Sequence, residues 1–148
     1  MRTGSIELTD VLRDLLFRFQ WANSPRRPIP ERITVELASV RDVEAALSCE
    51  LHPDVLALVA VAGTVNSEYV GSLDDVDPLT EDARRHPKPI APNRIAIGSH
   101  PDRHAWYLVT ANGKGSRIIE RDNFDGSEVR YPLVDWLDRH VDALLDRR

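Results

Sequence analysis

The chain has 148 residues, with 19 Lys plus Arg against 24 Asp plus Glu and a formal net charge of -5. That length suits one domain burying roughly 70% of the surface its unfolded chain exposes. The acidic balance runs against neutralising a nucleic-acid backbone, which needs clustered cations. The one cysteine, Cys49, excludes an intramolecular disulfide and reads as a small buried apolar residue on a helix.

Met1, Arg2 and Thr3 lead into a mixed polar and apolar stretch and not into a secretory signal, so the expected location is the cytoplasm. Residues 9–21 set Val11, Leu12, Leu15, Leu16 and Phe19 on one helical face, with Thr9 as N-cap. The proline-rich residues 23–30 then form a connector, so that 1–30 and a core at 31–148 make up a single domain.

Ile33, Val35 and Leu37 alternate with polar residues, the period of a half-buried strand. Ser39 followed by Asp42 resembles a capping box and predicts a short helix ending near Ser48. Pro53 opens a third helix, apolar nearly all round, and Gly63 supplies its left-handed stop. Its apolar run, residues 55–62, is far short of the roughly 20 residues of a membrane span, and no membrane partner is expected.

Residues 69–73 read as a weak strand, and residues 74–92, with four prolines, as a long surface excursion. Residues 95–98, 105–110 and 116–121 predict three successive strands, the last two joined across Asn112-Gly113. A second turn at Asp125-Gly126 precedes a strand over 128–131. Pro132 then begins a helix that carries Leu133, Trp136, Leu137, His140, Val141 and Leu144 on one stripe. The fold class is α+β, an antiparallel meander with helices packed on one face.

His100, Asp102 and His104 place two imidazoles and a carboxylate within five residues, the strongest enzyme candidate in the chain. A metal site needs further ligands, and none stands at a recognisable spacing, so a solvated turn is the preferred reading. Asp122 to Glu128 has carboxylates at the wrong offsets for a calcium loop. The glycines at 113 and 115 join strands and offer no helix N-terminus to a phosphate. No catalytic set and no cofactor are expected.

Between residues 68 and 82 the charged side chains are Glu68, Asp74, Asp75, Asp77, Glu81 and Asp82, without one Lys or Arg. A carboxylate run of this kind can mimic a phosphate backbone and attract a basic cleft, chiefly through association rate and specificity. Phe124, isolated in a predicted turn, is a second candidate contact, since aromatics are enriched in binding hot spots.

The element order and several short motifs resemble the SUKH superfamily of bacterial immunity proteins and fungal regulators of cell-wall synthesis. The carriers are residues 43–51, Leu51-His52-Pro53, Gly63, residues 94–98, residues 106–109, Ile118, and residues 131–137. His52 stands where the family usually has Leu before the proline, and Gly63 is followed by Thr-Val-Asn where an Asn-Gly-Gly-like turn is usual. The resemblance implies a SUKH-like fold and a bacterial immunity protein that occludes the active site of a cognate toxin, such as a nuclease with a basic cleft. A regulatory or scaffold module that binds other proteins, and a metal-dependent hydrolase using His100, Asp102 and His104, are the alternative classes.

Overall fold

The hydroxyl of Thr9 accepts the backbone N–H of Leu12 at 3.2 Å and starts the first helix, α1 (Asp10–Asn23). Leu12, Leu15, Leu16 and Phe19 are buried along it, whereas Val11, placed on the same stripe by periodicity, is 60% exposed. The computed structural model describes residues 2–24, 33–112 and 116–146. Most of the proline-rich connector, and Gly113 of the Asn112-Gly113 turn, lie outside these residues.

Ahead of α1, β1 (Thr3–Ser5) pairs antiparallel with β2 (Thr34–Glu36), the centre of the strand predicted at residues 33–37. The chain turns directly into α2 (Leu37–Leu47), so Leu37 is helical and Ser39 lies in the first turn instead of capping it. Burial of Val40, Val43 and Leu47 favours this earlier start. Ser48, in the left-handed region at φ 54°, ends the helix.

At α3 (Pro53–Val65), His52 Nδ1 accepts the Asp54 N–H at 3.1 Å, and Pro53 occupies a position whose missing donor costs nothing. The helix runs past Gly63, and Asn66, at φ 49°, provides the left-handed cap predicted for that glycine. Gly63 has a packing role instead: a Cβ there would come within 3.0 Å of the Ser72 Cβ.

Residues 74–92 contradict their reading as an irregular excursion, because Leu73–Arg85 form a helix, α4. Ser72 and Asp75 make a reciprocal capping box, Asp75 Oδ2 accepting from the Ser72 backbone at 2.9 Å. Val76, Thr80 and Ala83 form its buried stripe, and the helix continues through Pro78. Tertiary packing thus overrides the helix-breaking tendency of proline.

The strands β3 (Arg94–His100), β4 (Ala105–Thr110), β5 (Arg117–Asp122) and β6 (Glu128–Pro132) form an antiparallel sheet in chain order. The meander is as predicted. The helix α5 (Leu133–Asp146) follows β6 directly. Ile95, Ile97, Tyr107, Val109 and Ile118 share one core with residues of α1, α3 and α5. Ala96, Leu108 and Ile119 point the other way and pack with Ala83, Ile90, Leu79 and Trp106. Helices therefore cover one face as expected, while α4 and the segment after it also close part of the second.

The predicted strand at residues 69–73 reduces to a bridge between Val70 and Gly98. Gly71 N–H donates to Ile97 O at 2.7 Å, and Ser99 N–H to Tyr69 O at 2.9 Å. A Cβ on Gly98 would stand 2.1 Å from Tyr69 O, so only glycine permits this approach. Farther along the same edge, the Thr80 hydroxyl accepts the Ala96 N–H at 3.0 Å. The open edge of β3 is thereby occupied by its own chain, which removes a template for edge-to-edge association. No helix among the described residues is long and apolar enough to cross a membrane.

Candidate functional site

Five of the six acidic residues are carried by α4, which is anchored through Val76, Thr80 and Ala83 and turns its charged side chains outward, while Glu68 precedes the helix. Asp74, Asp75, Glu81 and Asp82 are exposed, and Asp77 is half-buried. Their environments differ. Asp75 is committed to the capping box with Ser72, and Glu81 pairs with Arg85 one turn later at 2.7 Å. Arg84 and Arg85 complement the C-terminal end of the helix dipole, as Asp74 and Asp75 do its start.

Three of the acidic residues come together. Glu68, Asp75 and Asp82 line a groove of about 250 Å³ between α4 and the segment paired to β3, with Tyr69, Pro78 and Leu79 among its walls. Among the described residues, no Lys or Arg lines this groove. Asp74, Asp77 and Glu81 are not among its walls.

Phe124 lies away from the groove, in the turn between β5 and β6, and is 66% exposed. Asp122 Oδ1 accepts the Phe124 N–H at 2.7 Å, a short side-chain-to-backbone turn that sets the ring outward against His104 at 4.6 Å. The ammonium of Lys88 donates to the Phe124 carbonyl. Asp125 accepts the Ser127 N–H at 2.8 Å, and that bond holds its carboxyl below the usual range. These carboxylates organise a turn.

The residues of the metal alternative do not converge. His100 is 5% exposed at the end of β3 and stacks on Tyr69, with ring centroids 4.3 Å apart and planes 8° from parallel. Asp102 and His104 are exposed on and after the tight helical turn Pro101–Arg103. Among the described residues no group of three or more His, Cys, Asp or Glu is placed to hold a metal ion.

A second concavity, missed by reading motifs along the chain, lies between the end of the sheet and α5. It has a volume of about 210 Å³ and is walled by residues that include Tyr69, His100, Tyr107, Glu120, Tyr131, Trp136 and His140. Strand register places Tyr107 opposite Glu120, so both project onto the helix-covered face. Trp136 and His140, one helical turn apart on α5, stack at 4.7 Å, and Trp136 Nε1 donates to Glu120 Oε1 at 2.8 Å. The signal present in the sequence was the Trp136 and His140 pair on the stripe of the last helix, which reads equally well as core.

A third groove, of about 490 Å³, runs between α1 and α5 and carries Asp10, Asp14, Asp135 and Asp138 with exposed Val11. Arg18 lies in it, 3.4 Å from Asp138. No family model, no curated protein and no solved structure matches the chain.

Proposed function

We propose that the chain is a cytoplasmic, SUKH-like immunity protein that binds a cognate bacterial toxin and blocks its active site. The observation that carries this reading is the groove lined by Glu68, Asp75 and Asp82, with no Lys or Arg among its described walls. Carboxylates held on a packed helix and on the bridged segment before it form a preorganised negative surface, which raises the encounter rate with a basic cleft and disfavours acidic partners. The resemblance of the core motifs to SUKH proteins supports the same reading. The toxin is expected to be an enzyme with a basic substrate path, such as a nuclease.

The test begins with the product of the gene beside this one, which should arrest growth in a bacterial host unless the chain is co-expressed. Glu68→Lys combined with Asp82→Lys leaves the capping box intact and should lower the association rate on the order of ten-fold at low salt. The deficit should shrink as salt is raised. Asp14→Lys combined with Asp135→Lys, in the groove between α1 and α5, should have the smaller effect. Equal association by the Glu68 and Asp82 variant removes the assigned surface, and binding without loss of toxin activity removes the immunity reading.

A further inference from the structure

We infer that the cavity between the sheet end and α5 is a binding site for a small planar aromatic acid, a role separate from docking on α4. Its floor is aromatic and buried: Tyr69, His100, Tyr107 and Trp136 all line it and all have little exposed surface. The rings are locked. Tyr69 stacks on His100, Trp136 stacks on His140, and Tyr107 meets Trp136 edge to face at 5.0 Å. Such a floor presents ring edges and faces at fixed angles, the arrangement that receives a further ring without rotamer loss.

Size sets the ligand class. A cavity of about 150 Å³ holds one benzene molecule. The volume of about 210 Å³ therefore fits a single ring with one small substituent. A nucleotide or an extended peptide could not be enclosed in that volume.

Charge sets the substituent. Exposed lining residues mark the mouth, and they include Arg103 from the turn after β3 and Arg139 from α5. Arg139 is already oriented, with its guanidinium carbon 4.9 Å from the centre of the Tyr131 ring. Among the described lining residues Glu120 is the one acid, and its Oε1 accepts from the Trp136 indole. A ligand entering ring first would leave its anionic group among donors suited to a carboxylate or phosphate. A cationic ligand would meet two guanidinium groups at the entrance.

Benzoate is the probe, and the indole N–H resonance of Trp136 in a proton–nitrogen correlation spectrum is the readout. Benzoate should shift that resonance saturably in about the millimolar range expected of a fragment-sized ligand. Benzyl alcohol, a neutral ring, should bind more weakly, while acetate and benzylamine should leave the signal in place. Arg139→Gln, at an exposed position that should fold normally, should weaken benzoate about five-fold or more and leave benzyl alcohol unchanged. Ala143→Phe, also exposed, should fill the cavity and remove both. The proposal is overturned if benzoate gives no saturable shift on the folded chain, if benzylamine binds as tightly as benzoate, or if Arg139→Gln leaves benzoate affinity unaltered. None of these readouts depends on a toxin partner, so the immunity reading can stand or fall separately.

Discussion

The guanidinium of Arg94 and the carboxylate of Glu128 meet in a two-pronged ion pair, with Nε to Oε2 at 3.3 Å and Nη2 to Oε1 at 3.2 Å. These residues begin β3 and β6, the two edge strands of the four-stranded sheet. Strands that share no ladder hydrogen bond can be joined this way only because the sheet curls across the face carrying Ala96, Leu108 and Ile119. Their side chains are 9% and 24% exposed, so the pair is shielded far better than an ordinary surface bridge.

Removing one partner should therefore be expensive. Glu128→Ala is expected to destabilise the fold by about 1–3 kcal/mol, less than a wholly buried pair because Glu128 still touches water. Urea unfolding measures this directly, and a loss within experimental scatter of zero would show that the curl is held by packing alone.

Thr80 is the second expected hinge of stability. Its hydroxyl accepts the Ala96 N–H at 3.0 Å and donates to the Val76 carbonyl at 2.7 Å. Thr80→Val keeps the shape but strands a buried donor, with an expected cost of about 1–3 kcal/mol. Thr80→Ser should retain most of the stability. Amide exchange at Ala96 distinguishes the two, since only the valine variant should expose that N–H.

At Gly98 the constraint is steric. Gly98→Ala would force its new Cβ away from the Tyr69 carbonyl and open the bridge to Val70. The expected result is a lower melting temperature together with concentration-dependent self-association, because the edge of β3 becomes available to another chain. A variant that stays monomeric and as stable as the parent would refute the role given to this glycine.

Cys49 supplies a pH-dependent prediction. Burial, and next the Glu44 carboxylate, push its thiol up from the ordinary value, while Arg84 opposes them. The folded chain thus holds this proton more tightly than the unfolded one. The corresponding stability is fully present below the unfolded thiol value of about 8.5 and is lost as pH rises from there through the raised folded value. Urea midpoints should fall more steeply between neutral and alkaline pH for the parent than for Cys49→Ala. Alkylation of Cys49 should also be slow until the chain unfolds.

The α+β class, the terminal helices, the buried third helix and the meander were legible in the sequence because each rests on a local signal. Apolar residues recurred at helical spacing in α1 and α5, and alternation marked β3 to β5. In α4 the sequence does hold helix signals, Ser72 and Asp75 as a capping box and the Val76, Thr80, Ala83 stripe, but Pro78 and the density of polar residues point the other way. The proline cost is local, whereas the compensation comes from β3 through Thr80 and Ala96, far away in the chain.

For the sites the division is sharper. Sequence alone determined that Glu68 to Asp82 would be anionic and that Trp136 and His140 would share a helical face. Only the tertiary structure decided that Glu68, Asp75 and Asp82 border one groove while Asp74, Asp77 and Glu81 do not. It alone carried His100 away from His104 and joined it to Tyr69, Tyr107 and Trp136 around one cavity. Charge and periodicity are properties of neighbouring residues along the chain, but a cavity is made by strand register and helix docking, which bring together side chains as distant as Tyr69 and His140.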